Sequence, residues 1–198
     1  MARRVVRPSI AELAAAGRWL SLVDFCSTYD AAYAAYLAGR AFTRAWALRL
    51  QALLYLGLAA RFFAPNRPGV LRVMGLKPGC ISAACRAPGC QGNHVDAAGL
   101  LHVIHDKTGV AHGPRPPLLC APPLLQLLAD WLAWGRAELL GDAEDTGALF
   151  LYPSTGSAMT EAQSSAYLPA AIRLISGASI HITHTSVRPA CPQPRTLA

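Results

Sequence analysis

Stretches of helical apolar spacing alternate along this chain with breaks rich in proline and glycine. Ser9, with Glu12 three residues later, has the form of a capping box. Apolar residues then recur through Leu13, Leu20 and Val23, which predicts a first helix. A second helical pattern covers residues 30–37. A third, over residues 41–63, carries Phe42, Trp46, Leu50, Leu53, Leu54 and Leu58. Their spacings of three and four put them on one buried stripe. Pro65 and Pro68 end it, because a proline pushes the residue before it out of the helical region.

Residues 75–99 are rich in Gly and Cys and read as a loop. Residues 100–105 read as a strand with a turn at 106–109, which predicts a small antiparallel hairpin. Residues 113–123 are proline-rich and extended. Leu124, Leu127, Leu128, Trp131 and Leu132 open an amphipathic helix ending near Leu140 and Gly141. An acidic loop, 142–145, and a short apolar extended piece, 149–152, follow. Thr160 with Gln163 forms a second capping box, opening a helix that runs to about Ile175 and stops at Gly177. Pro169 predicts a kink or a split within it. No internal repeat is present. The pattern gives a mainly α fold with a small antiparallel β-hairpin or sheet. It divides into an N-terminal helical segment (1–40), a main domain (41–190) with a Cys-rich loop at 78–96, and a tail (191–198).

Composition narrows the class. Of 198 residues, 53% are hydrophobic and 15% charged, which suits a packed core and not a disordered chain. The most apolar stretch, 50–60, lies between Arg49 and Arg61 and is far shorter than the roughly 20 residues a membrane span needs. No membrane partner is expected. The basic start, Met1 to Arg7, lacks the apolar run of a signal peptide, so the expected location is intracellular. The six cysteines are then better read as thiols or metal ligands than as disulfides. Residues 1–72 contain ten Arg against three acids, while residues 73–198 hold eight basic and eight acidic residues. The whole net charge of +7 therefore sits in the N-terminal part. A basic face suits a polyanion such as nucleic acid, though a solvated helix surface accounts for it equally well.

Metal-free cleavage of a phosphodiester needs several cationic donors around one phosphate and a proton donor for the leaving oxygen. Three positions fit. Arg67 stands in Pro65-Asn66-Arg67-Pro68-Gly69 at the end of the long apolar helix. Lys107 stands in His105-Asp106-Lys107-Thr108-Gly109 at the tip of the predicted hairpin. Arg188 lies near the C-terminus, with His181 and His184 upstream. In this order and context the chain resembles the catalytic domain of the tyrosine recombinases, the phage-integrase family, and in particular the divergent recombinases of eukaryotic mobile elements. The resemblance covers about residues 40–190 and rests on spacing and context, including Leu118-Leu119, the leucine-rich helix, Leu149-Phe150 and Met159-Thr160.

The resemblance implies a recombinase-like catalytic domain that binds double-stranded DNA, in company with further recombinase protomers, in a nucleus or nucleoid. Arg67, Arg188 and His184 would hold the scissile phosphate, and Lys107 would reach the base or the leaving oxygen. No cofactor is required by that chemistry. Two features depart from the family pattern. Thr185 stands where relatives carry the histidine, three residues before Arg188, and Pro189 follows Arg188. None of Tyr29, Tyr33, Tyr36, Tyr55, Tyr152 or Tyr167 falls after Arg188, where the family places its nucleophile. The expectation is thus a C-terminally truncated member that binds DNA without forming the covalent phosphotyrosine link.

The Cys-rich loop carries a separate signal. Cys80, Cys85, Cys90 and His94 are thiolate and imidazole donors that suit a structural Zn²⁺, and Gly79, Gly89 and Gly92 would let the chain wrap around it. The spacing matches no common zinc knuckle, and a loop of free thiols remains the alternative. A second function follows from it: a small zinc-stabilised module that binds nucleic acid or protein without catalysis. Cys26, Cys120 and Cys191 are isolated and read as buried thiols. His102 and His105 fall on opposite faces of their strand and read as half-buried.

Overall fold

The computed structural model describes residues 10–15, 21–62, 68–79, 89–105 and 115–177. It is mainly helical, with one small sheet. The helices are α1 (Ile10–Ala15), α2 (Leu22–Ala38), α3 (Arg44–Leu56), α4 (Pro68–Arg72), α5 (Pro122–Asp130), α6 (Arg136–Leu140) and α7 (Glu161–Ser176). Two π-helical turns, Gly57–Arg61 and Trp131–Gly135, extend α3 and join α5 to α6. The strands are β1 (Met74–Gly75), β2 (Asn93–Val95), β3 (Leu100–His102) and β4 (Leu118–Leu119), in that order across the sheet.

Helix α3 is the centre of the molecule, with α2, α5, α6 and α7 packed around it. Its expected stripe is correct for Leu50, Leu53, Leu54 and Leu58, all buried, but too narrow. Gln51, Ala52, Tyr55 and Leu56 are buried as well, because neighbours cover α3 on nearly every side. Phe42 is the exception: it precedes the N-cap Thr43, is 74% exposed, and meets Trp134 edge-on at 5.2 Å. Glycine permits the closest approaches around α3. A Cβ on Gly135 would lie 2.7 Å from Leu50 Cδ2, and one on Gly57 would lie 2.9 Å from both Leu124 Cδ1 and the Tyr29 hydroxyl.

The core also contains polar side chains that are fully paired. Gln51 behaves like a strip of backbone: its Nε2 donates to Leu151 O (3.0 Å) and Tyr167 Oη (2.9 Å), and its Oε1 accepts from Leu151 N (2.8 Å). Trp131 Nε1 donates to Leu149 O at 2.8 Å. Arg136 is buried and forks onto Asp145 while its Nε donates to Ala148 O. These bonds supply partners to the extended piece 148–151, which pairs only through the isolated bridges Gly75–Ala148 and Leu151–Ala158.

Several elements differ from the expectation. Helix α2 begins at Leu22, not near residue 30, because Ser21 caps it by accepting from Asp24 N. Val23, expected on the stripe of the first helix, stands in the first turn of α2 and is 73% exposed. Ser9, expected to cap the first helix, lies outside the described residues. The sheet is mixed, not antiparallel: β1 runs parallel to β2, with Met74 opposite Asn93, and only β2–β3 and β3–β4 are antiparallel. The long connection 76–92 makes a parallel return feasible, whereas a tight turn does not. Residues 106–109, expected to form the hairpin turn, lie outside the described residues. Pro169 does not split α7. Proline lacks the N–H that would donate to Ser165 O, and Ser165 is exposed, where water can take that place.

Candidate functional site

Among the described residues, a group of reactive side chains lies on and beside the β2–β3 hairpin. Asp96 and Gly99 make its turn. Asp96 Oδ1 accepts from Ala98 N and Leu100 N, both at 2.9 Å, and Gly99 takes a φ of 77°, which glycine adopts without strain. His94 and His102 are register partners, and because directly opposed residues project to one face of a sheet, their rings stack at 4.6 Å with 5° between planes. His94 is buried and its Nδ1 is 3.0 Å from Gly92 O, so that nitrogen carries the proton. His102 Nε2 lies 2.8 Å from Asp96 Oδ2. That bond, with the backbone N–H groups of Leu100 and Ala98, holds the Asp96 carboxyl below the usual range.

Past β3 the chain stays extended, and His105 turns its Nε2 towards Cys90 Sγ at 3.2 Å. Gly92 N also approaches this sulfur, at 3.4 Å. Both residues are half-buried. Asn93, wholly buried, fixes the arrangement. Its Oδ1 accepts from Ile104 N (2.8 Å) and His105 N (2.7 Å). Its Nδ2 donates to His105 O (3.1 Å) and Val70 O (3.0 Å). One amide thus ties α4 to the segment after β3.

Of the four residues expected to handle phosphate, Arg67, Lys107, His184 and Arg188, all lie outside the described residues. Cys80 and Cys85 do as well. Of the expected zinc ligands, Cys90 and His94 are described. Among the described residues no three His, Cys, Asp or Glu side chains gather in a way that could hold a metal ion. Cys26 is half-buried, and Cys120 is buried, its thiol pushed up to about 11 by burial and by Asp96. The tyrosines serve the core. Tyr29 donates to Leu53 O, Tyr36 to Asp130 Oδ2 and Tyr55 to Ser164 O, while Tyr167 accepts from Gln51. Burial raises all four phenols, that of Tyr55 to about 12.

The described N-terminal arginines other than Arg72 divide into two groups. Arg40 pairs with Asp130 and Arg61 with Asp30, so their charge is neutralised locally. Arg44 donates to the carbonyls of Glu138 and Pro153, and Arg49 lies over the Trp46 ring at 5.1 Å. Neither pairs with an acid among the described residues, and both are exposed. Arg72, on α4, has its Nε buried without a hydrogen-bond partner.

Sequence reasoning missed Asn93 and the partnership of Cys90 with His105. The hairpin itself had a signal: Asp96 and Gly99 between two apolar pieces is a turn pattern. Asn93 had none, since a buried amide is recognised only by the backbone groups around it. No family model, no curated protein and no solved structure matches the chain. Among the described residues, no helix is long and apolar enough to cross a membrane.

Proposed function

We propose that this chain is a DNA-binding domain of tyrosine-recombinase type, in which Arg67 and Lys107 meet one phosphate, with His184 and Arg188 as further donors to it. The observation that carries this reading is the Asn93 amide. It joins Val70 O, three residues after Arg67, to His105 O, two residues before Lys107. Residues far apart in sequence but carried on tethered segments suit a shared anion site. Arg44 and Arg49, paired with no acid among the described residues, add positive charge on the helical side.

The reading is of a scaffold that grips the DNA backbone. The four core phenols supply no attacking oxygen, because each is engaged inside the protein and raised by burial. The affinity comes from neutralised phosphates, so it is tolerant of sequence and falls steeply with salt. The working partners are double-stranded DNA and further copies of the recombinase, in a nucleus or nucleoid.

The test is titration of a labelled duplex with wild-type protein and with Arg67→Ala and Lys107→Ala at two salt concentrations. The expected result is weaker binding by each variant, with a shallower salt slope, roughly one unit less per lost phosphate contact. Folded protein that does not bind duplex at low salt refutes the reading. The second reading, a zinc-stabilised binding module without catalytic ancestry, is favoured by the approach of His105 to Cys90. It expects binding indifferent to Arg67 and Lys107.

A further inference from the structure

We infer that the corner where α2 meets α3 is a stacking platform for single-stranded nucleic acid, with Phe42 as its outer ring. The platform uses none of Arg67, Lys107, His184 and Arg188, and it takes unpaired bases, not the duplex. Among the described residues no large hydrophobic is more exposed than Phe42, at 74%. Its ring meets Trp134 edge-on, with 80° between planes, and the rest of it faces solvent. Phe42, Trp46 and Arg49 succeed one another at spacings of four and three, which strings them along one side of α3 and its N-terminal approach. Trp46 is half-buried and lies against Tyr36 at 5.8 Å, and Tyr36 donates to Asp130, four residues before Trp134. The Phe42–Trp134 and Tyr36–Trp46 pairs are therefore neighbours where α2, α3 and α5 meet.

Cations stand among these rings. Arg49 lies over the Trp46 ring, is exposed, and pairs with no acid among the described residues. Arg44, between Phe42 and Trp46 in sequence, is exposed too and donates to the carbonyls of Glu138 and Pro153. Asp130 is matched by Arg40. Rings interleaved with arginines suit a strand whose bases have flat faces and whose backbone is anionic, and they suit it whatever its sequence. In a duplex each base face is covered by the next base, so an outlying ring finds nothing to stack on. An exposed phenyl ring adds little to the stability of the fold, because it stays in water. Covered by a base, the same ring contributes to binding.

The probe is a labelled oligo(dT) of about 15 nucleotides, within the usual span of such sites, titrated with the full chain at low salt. An abasic oligomer of the same length and a duplex of the same length are the controls, and circular dichroism checks the folding of each variant. The expected result is that wild-type protein binds oligo(dT) more tightly than the abasic oligomer, with quenching of tryptophan fluorescence. Phe42→Ala should weaken oligo(dT) binding by about tenfold, the value of one stacked base, and leave abasic and duplex binding unchanged. Phe42→Trp should restore it, and Arg49→Ala should weaken oligo(dT) and abasic binding alike. Oligo(rU) of the same length separates RNA from DNA as the source of the strand, and the loss in Phe42→Ala is expected for whichever binds more tightly. Folded wild-type protein that prefers neither oligomer to the abasic one overturns the inference. So does Phe42→Ala with unchanged oligo(dT) and oligo(rU) binding, which leaves this face to another occupant such as a protein. Binding of oligo(dT) without binding of duplex upholds the platform and refutes the duplex reading, so the two fail separately.

Discussion

Replacing Asn93 by Ala removes four hydrogen bonds at once, and their surroundings set the magnitude. Val70 is buried, so its carbonyl loses its partner with no water to replace it, at about 1–3 kcal/mol. Ile104 is 40% exposed and His105 half-buried, so the N–H and C=O groups freed there recover part of their bonding from solvent and cost about 0.5 kcal/mol each. The total is about 3 kcal/mol. With a urea slope of about 2 kcal/mol/M, the midpoint of unfolding should fall by roughly 1.5 M. Asn93→Asp separates hydrogen bonding from shape. One carboxylate oxygen still accepts from Ile104 N and His105 N, but the other faces the carbonyls of Val70 and His105, where the amide had donated. At neutral pH this variant should be at least as unstable as Asn93→Ala. Its carboxyl pKa is raised in the folded state by burial and by the facing carbonyls. Its stability is therefore fullest below the unfolded value near 3.9 and is lost as pH rises through the folded value. An Asn93→Ala midpoint within 0.3 M of wild type, about 0.6 kcal/mol, would refute the clamp. An Asp variant more stable than the Ala variant at pH 7 would do the same.

Two further predictions concern stability. Gly156 has a φ of 69°, and a Cβ there would run into the carbonyls of Leu140 and Leu139, so Gly156→Ala should cost about 3 kcal/mol in urea titration. Gly69→Ala is the control: nothing lies within 4 Å, and alanine in α4 should be neutral or gain up to about 1 kcal/mol. Arg136, chiefly by its hydrogen bond, and then Gly147 N hold the Asp145 carboxyl below the usual range. That pair stabilises the fold above the unfolded pKa of about 3.9 and stops doing so as pH falls through the lower folded value. Asp145→Asn should cost about 1–2 kcal/mol at pH 7, a figure reduced because the Asp145 side chain is 46% exposed, and should flatten the acid limb of a stability–pH curve. An unchanged acid limb would show that the pair contributes nothing.

Local elements were the most legible in the sequence. The Thr160–Gln163 capping box forms as expected, with Gln163 N donating to Thr160 Oγ1 and Thr160 N donating to Gln163 Oε1. Gly177 closes α7 in the left-handed conformation. The helix after the Pro-rich stretch runs to Leu140, although its buried side is Leu124, Leu127 and Trp131, with Leu132 half-exposed. His102 and His105 are half-buried, as expected. The candidate site was less legible. Cys90 and His94 were picked out by ligand type and spacing, but spacing does not say which imidazole turns towards a sulfur.

By itself, the sequence determined where α7 starts and stops, because its cap, its closing glycine and the 3.6-residue period act within a few residues of one another. It also determined that one stripe of α3, through Leu50, Leu53 and Leu54, is buried and that the positive charge is concentrated towards the N-terminus. Only the tertiary structure decided that β1 joins β2 in parallel, that α3 is covered nearly all round, and that Gln51 serves as a partner for the 148–151 backbone. It alone decided that Asn93 binds α4 to the chain after β3, and that His105 faces Cys90. Each of these depends on groups distant in sequence and desolvated together. A buried donor must find an acceptor wherever the packing leaves one, and no local pattern of residues records where that is.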